Sequence, residues 1–177
     1  PLYFSAVLDR KPESYGSFHG NTQLTDAKES KGTGAGMYFT FSNEQQEAVT
    51  AKIGLSYTSV ENARINLQAE AEGKTFEDAK EQAHQIWQEY LGRIEVETSK
   101  REDKVKFYTG LYHALLGRGL ANDVNGAYPR NDGSVGQLPM KEGKPQYNVY
   151  NTDAAWGAQW NLSQLWTLAY PEYMSEY

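Results

Sequence analysis

Asp123, Asp132 and Asp153 stand in stretches rich in tyrosine and tryptophan, and carboxylates in such surroundings can cleave a sugar bond. Glycoside hydrolysis needs one acid to protonate the leaving oxygen and a second carboxylate to activate water or attack the ring. Taken singly, each of these Asp residues is better explained by a turn or a helix cap. His113, between Tyr112 and Leu115 on a helical stretch, is either a site residue or a satisfied half-buried histidine. His19 and His84 lie far from it in sequence, so no histidine pair has the spacing of metal ligands.

Other chemistries fail on spacing. Gly73-Lys74-Thr75 ends like a phosphate loop, but Gln68 stands where the first glycine must be. Asp123-Val124-Asn125-Gly126 begins like a calcium loop, yet Tyr128 fills the sixth position, where an EF-hand needs glycine. Asp123, Asn125, Asn131 and Asp132 remain candidates for an irregular calcium site, or for turns bonding their own backbone. The chain has no cysteine, which excludes thiol chemistry, and no Gly-x-Ser-x-Gly turn to present a serine nucleophile.

Composition narrows the partners. With 17 Lys+Arg against 23 Asp+Glu the net charge is -6, which offers no field to attract a polyanion, so nucleic acid is not an expected partner. Mean hydropathy is -0.73 and no run of 18 apolar residues occurs, so no membrane span is expected; Pro1-Leu2-Tyr3-Phe4-Ser5 has no signal-peptide pattern. Thirteen Tyr and four Trp against six Phe give most aromatic rings a polar handle. Such rings suit half-buried packing and also surfaces that stack sugar rings.

The elements that must position these residues follow from periodicity. Leu2 to Leu8, Met37 to Phe41 and Glu47 to Tyr57 read as strands, the last with Val49, Ala51, Ile53, Leu55 and Tyr57 on one apolar side. So few strands leave the sheet incomplete. Thr58 and Glu61 predict a capping box opening a helix to about Glu72. Thr75 and Asp78 predict a second, ended by Gly92, with Phe76, Ala79, Ala83, Ile86, Trp87, Tyr90 and Leu91 as its apolar stripe. A short strand over 93–97 and a third helix opened by Ser99 to Glu102 follow. Residues 120–150 read as loop with one hairpin. Trp156 to Tyr170 reads as one helix, apolar on nearly all sides and closed by Pro171, so the chain reads as a piece of something larger.

The run Lys52 to Arg64, the run Phe107 to Leu116, and Asn122 to Tyr128 with Asn131-Asp132-Gly133 resemble glycoside hydrolase family 92, the calcium-dependent alpha-mannosidases. The order and gaps fit over about residues 47 to 177, including Trp87 and Leu91 to Val96. The resemblance implies an α+β chain in which residues 1–57 are antiparallel strands ending a β-sandwich domain. Residues 58–98 would be linker helices with a short strand, and residues 99–177 the start of an (α/α)6 catalytic barrel. It implies hydrolysis of alpha-linked mannose from glycans with inversion, the acid, the base and the calcium ligands lying outside this segment, and an extracellular or periplasmic location. The partners are then a mannose-containing glycan or related carbohydrate and the remainder of the chain. Family members carry a Ser-x-Trp-Asp-Thr-x-Arg stretch that shapes the mannose subsite, for which this sequence has Asn151 to Trp160 with Asp and Trp in reverse order. The substrate-binding residues expected are Asp153 as acceptor for sugar hydroxyls and Trp156 as stacking surface, then His113, Asp123 and Asp132. The altered motif also admits a non-catalytic carbohydrate-binding or scaffold relative.

Overall fold

The computed structural model describes residues 1–42, 47–116, 119–151 and 155–177. Strands β1 (Tyr3–Leu8), β2 (Ser14–His19), β3 (Thr22–Thr25), β4 (Ala35–Thr40) and β5 (Ala51–Ser56) come first. Helices α1 (Val60–Ala71), α2 (Phe76–Leu91) and α3 (Arg101–Leu115) follow. After them come short strands β6 (Ala127–Pro129), β7 (Val135–Gln137), β8 (Met140–Lys141) and β9 (Lys144–Pro145), then helices α4 (Ala155–Ala158), α5 (Leu162–Ala169) and α6 (Pro171–Glu176). The α+β class is as expected. No helix among the described residues is long and apolar enough to cross a membrane. Two units form, one of residues Ala6–Lys52 and one of Pro1–Ser5 with Ile53–Tyr177.

The smaller unit holds the antiparallel sheet β3-β2-β4. Its β2–β3 hairpin turns on Gly20 and Asn21 between the paired His19 and Thr22, with Gly20 at φ +56°. Periodicity did not reveal it, because Ser14 to Thr25 shows no apolar alternation. The Gly-Asn pair was the available signal, since a two-residue hairpin needs positive φ.

Strand β5 pairs with β1, and its buried side is the reverse of what alternation suggests. Gly54 and Ser56 are buried while Ile53 and Leu55 are exposed. Helix α1 causes this by lying close over Gly54: a Cβ there would stand 2.2 Å from the Ala63 carbonyl oxygen and 2.8 Å from the Leu67 nitrogen. Both are helix backbone and cannot yield. Gly54→Ala is therefore expected to cost about 2–3 kcal/mol by overpacking, read as a lower urea midpoint with unchanged slope.

Helix starts follow short polar side chains, with one shift of register. Thr75 and Asp78 close the capping box expected for α2. For α1 the cap is Ser59, which accepts from the Asn62 N–H at 3.0 Å, and the hydroxyl of Thr58 turns elsewhere. Helix α3 begins after Lys100 with no side-chain cap, because the ammonium of the cap residue has no acceptor to offer; the Lys100 N–H itself donates to the Thr98 hydroxyl at 3.1 Å. Residues 93–97 form no strand; the chain there follows the Gly92 end of α2 as an irregular link. The segment 120–150 carries two hairpins, β6–β7 and β8–β9, and a bridge between Leu120 and Tyr150.

The apolar core of the larger unit gathers where α3, α5 and α6 meet the end of α2. Leu111, Trp166 and Tyr170 are the buried members of that cluster, and Ala63, Leu67, Ala127, Leu138 and Ala158 are buried elsewhere in the unit. Tyr170 stacks on Tyr90 at 5.9 Å with rings nearly parallel, and its hydroxyl donates to the Tyr90 carbonyl at 3.0 Å. Arg93 lies over both rings, 4.7 Å from Tyr90 and 5.2 Å from Tyr170, and pairs with Glu172. The helix expected from Trp156 to Tyr170 is broken at 159–161, and Pro171 opens α6 rather than merely ending its predecessor. A proline at the first helical position gives up an N–H that has no intrahelical partner in any case. Trp156 on α4, Trp160 in the turn and Leu168 on α5 remain 77%, 72% and 84% exposed, while Ala158, Trp166 and the partly buried Leu162, Leu165 and Ala169 face inward.

Candidate functional site

Two features of the larger unit have the chemistry of a site, one closed and one open. The closed one is built on Asp123, whose side chain is buried. Its Oδ2 accepts from the Ser56 hydroxyl at 3.0 Å and the Thr58 hydroxyl at 2.5 Å, and its Oδ1 accepts from the Asn66 amide at 2.7 Å. Strand β5 supplies Ser56, the β5–α1 corner supplies Thr58, and α1 supplies Asn66. Asn62 donates to Thr58 at 2.7 Å and accepts from the Asn125 amide at 2.9 Å, while the Asn66 side-chain Oδ1 accepts from the Val124 N–H at 3.0 Å. The main chain closes the loop itself, with Asp123 N–H donating to the Ala127 carbonyl and Gly126 N–H to the Asp123 carbonyl, each at 2.8 Å. Gly126, at φ +82°, has the conformation such a turn asks for.

Three donors thus converge on one buried carboxylate, and a cation has no place among them. Hydroxyl and amide hydrogens already aim at the oxygens that a metal would need. Among the described residues no three of His, Asp and Glu come together to hold a metal ion. The irregular calcium site considered for Asp123, Asn125, Asn131 and Asp132 therefore does not fit: Asp123 and Asn125 are spent on the corner. Asp132 is exposed at the β6–β7 turn, where its Oδ1 accepts from the Ser134 N–H at 2.9 Å and hydroxyl at 2.7 Å. Those two bonds lower its pKa below the ordinary aspartate value.

The open feature is a cleft of about 960 Å³ whose lining includes Trp87, Tyr90, Tyr147, Tyr150 and Tyr173, with Asn148, Glu172 and Glu176 among its polar groups. Flat rings beside directional polar groups are what a sugar ring needs. Its two carboxylates are engaged: Glu172 with Arg93, whose hydrogen bond lowers the Glu172 pKa, and Glu176 with the Asn148 amide at 2.6 Å and the Tyr150 hydroxyl. Burial and the neighbouring Glu176 both raise the Tyr150 phenol above its ordinary value. The cleft offers surface and hydrogen bonds rather than an acid and a base.

The expected site residues answer to different neighbours. Asp123 is locked in the corner and Asp132 in a turn. His113 is exposed on α3 rather than half-buried, its ring 5.7 Å from that of Tyr112. Trp156 is exposed on α4, and Asp153 lies outside the described residues. Sequence reading passed over Ser56, Asn62 and Asn66 and gave Thr58 only the role of a cap. Their signal was two asparagines four apart inside a helix, where Asn is a poor former and needs a polar partner to justify it. It also passed over Glu172 and Glu176, which the same spacing puts on one face of α6 with Tyr173 next to Glu172.

Comparison with known proteins agrees with this architecture. The family model described as the glycosyl hydrolase family 92 N-terminal domain matches residues 1–56, and that of the family 92 catalytic domain matches residues 62–177. A search of curated proteins finds no match. Among solved structures, a family GH92 inverting mannosidase from Bacteroides thetaiotaomicron is 26% identical over 97% of this chain and 23% of its own, with a TM-score of 0.81. A GH92 family glycosyl hydrolase is 26% identical over 88% of this chain and 20% of its own, with a TM-score of 0.74. A family GH92 alpha-mannosidase from Bacteroides thetaiotaomicron, solved with mannoimidazole, shares the fold at 21% identity over 93% of this chain and 22% of its own, with a TM-score of 0.73. The chain thus spans less than a quarter of the length of these structures. With both domain models matched in order along it, the chain belongs to glycosyl hydrolase family 92.

Proposed function

We propose that this chain is part of an inverting glycosidase that removes alpha-linked mannose from glycans outside the cytoplasm, and that it supplies one wall of the sugar site. The observation that carries this is the ordered match of the N-terminal and catalytic family models across the chain. The likeness to an inverting mannosidase over 97% of the chain supports it. In this reading residues 1–57 complete a β-sandwich, 58–98 link, and 99–177 begin the (α/α)6 barrel. The general acid and base come from other parts of the protein, as do the ligands for calcium, since the oxygens described above are committed elsewhere. Trp156 offers its exposed ring to the apolar face of the sugar, with Asp153 beside it in sequence as the hydroxyl acceptor.

The complete protein is expected to hydrolyse 4-nitrophenyl α-D-mannopyranoside, and proton NMR of the first product is expected to show the β-anomer of mannose. Trp156→Ala removes an exposed ring, so it is expected to raise KM about tenfold, roughly 1.4 kcal/mol, without moving the melting temperature. Sugar binding without hydrolysis would instead support the carbohydrate-binding or scaffold relative, the reading favoured by the reversed Asp and Trp between Asn151 and Trp160. Release of the α-anomer would overturn inversion.

A further inference from the structure

Asp123 faces one way and its neighbour Asn122 the other. On the first side, Asp123, Val124 and Asn125 are all bonded to the β5–α1 corner, through Ser56 and Thr58, Asn66, and Asn62. On the second side, the Asn122 side-chain oxygen accepts from the Val149 N–H at 2.7 Å, and its amide donates to Asn148 at 3.3 Å. Around that contact Ala121 N–H donates to the Val149 carbonyl at 2.7 Å, Asn151 N–H donates to the Gly119 carbonyl at 3.0 Å, and Leu120 bridges Tyr150. Residues 119–122 and 148–151 are therefore a short antiparallel ribbon. Two-stranded ribbons of this length are marginal in water and keep their register only when something rigid holds one strand. Here the rigid element is the corner, and Asn122–Asp123 is the joint.

We propose that Asn122 and Asp123 are a positioning pair, which transmits the fixed geometry of the β5–α1 corner to the backbone at Val149, Tyr150 and Asn151. This rests on the function proposed above, because the sequence leaving Asn151 toward Trp156 is the one that reading assigns to the sugar. The pair touches no substrate in this scheme; it acts through the ribbon. Asn122 is the better point to cut, since the alanine removes the acceptor for Val149 and leaves the Asp123 carboxylate bonds intact, giving up besides only the 3.3 Å bonds from the Asn122 amide to Asn148 and to the Asp123 carbonyl. Asp at 122 retains an acceptor oxygen for the Val149 N–H and gives up the two longer donations, to Asn148 and to the Asp123 carbonyl, each at 3.3 Å.

The test uses the full-length protein with Asn122→Ala and Asn122→Asp. At a temperature well below unfolding, Asn122→Ala is expected to raise KM for 4-nitrophenyl α-D-mannopyranoside at least tenfold, with kcat changed less than threefold. Backbone amide exchange over residues 148–151 is expected to quicken at least tenfold while residues 127–137 keep their protection. Asn122→Asp is expected to return both readings to within threefold of the parent. Should Asn122→Ala not fold, Asn122→Ser, whose hydroxyl is one atom too short to reach Val149, carries the same expectation. Parent-like KM and exchange in the alanine or serine variant would overturn the proposal, as would failure of Asp to rescue. If the parent protein hydrolyses no mannoside, the functional reading fails by itself. The exchange data then still decide: quickening confined to 148–151 and reversed by Asp supports the pair, and unchanged exchange overturns it.

Discussion

Asp123→Ala is expected to lower the unfolding free energy by about 3–5 kcal/mol, the largest loss available from any single polar side chain described here. The size follows from what would be left behind. The Ser56 hydroxyl, the Thr58 hydroxyl and the Asn66 amide would each lose a charged acceptor at 2.5–3.0 Å, in a place where Asp123 itself is 3% exposed. One hydroxyl can turn to the other, 3.0 Å away, and the Asn66 amide keeps its bond to the Leu55 carbonyl, but a buried donor left unmade costs about 1–3 kcal/mol and the loss of the charged acceptor adds to it, in a small void that water can only partly serve. Against a total stability of roughly 5–15 kcal/mol this is a large fraction. Chemical unfolding of the protein would register it as a lower midpoint, and a loss below about 1 kcal/mol would mean that the carboxylate is dispensable.

Asp123→Asn separates charge from shape. The amide keeps one oxygen for a donor but turns an NH2 toward the hydroxyls. Ser56 Oγ already accepts from the Thr58 and Ser59 N–H groups, at 2.9 and 3.3 Å, and Thr58 Oγ1 already accepts from Asn62. The new donor therefore finds at most one free lone pair, on Thr58. An intermediate loss of about 1–3 kcal/mol is expected, ranking the variants parent, Asn, Ala.

That arrangement also shows how far the sequence could be read. The α+β class, the three helices after residue 57, the Thr75–Asp78 box and the family were legible, because caps and apolar spacing are local and the motif runs Lys52 to Arg64, Phe107 to Leu116 and Asn122 to Tyr128 are specific. What was not legible depends on partners distant in sequence. Thr58 had the spacing of a cap, but its hydroxyl goes to Asp123, 65 residues on, and Ser59 caps instead. Alternation in β5 identified two faces without saying which one α1 would cover, and Gly54 decided it by letting the helix approach. Asp123 was singled out for chemistry because a loop carboxylate near tyrosines has that look. Only the two asparagines of α1 distinguish a structural hub from a site, and their role needs the fold to be seen. The run from Trp156 to Tyr170 was apolar enough to read as one helix, but apolarity does not report where backbone bonds stop.

Trp166→Ala is expected to cost about 3–5 kcal/mol and to loosen the packing of α3 as well as that of α5. Trp166 is fully buried, with the rings of Tyr173 at 5.0 Å and Tyr177 at 5.4 Å meeting it edge on. Its indole N–H donates to the Ala114 carbonyl at 3.1 Å. Ala114 is in the last turn of α3, whose carbonyls have no next turn to bond; Leu116 N–H serves those of Tyr112 and His113, and Trp166 serves the one that follows. One side chain thus fills the core and caps a helix. Trp166→Phe separates the two roles: it keeps most of the ring volume, loses the N–H, and is expected to cost about 1–2 kcal/mol, with amide exchange quickened mainly at the C-terminal turn of α3. Alanine is expected to quicken exchange in α5 and α6 too, since Tyr173 and Tyr177 lose the surface they pack on. If the two variants were equally destabilised, the hydrogen bond to Ala114 would be carrying the whole effect and the packing none.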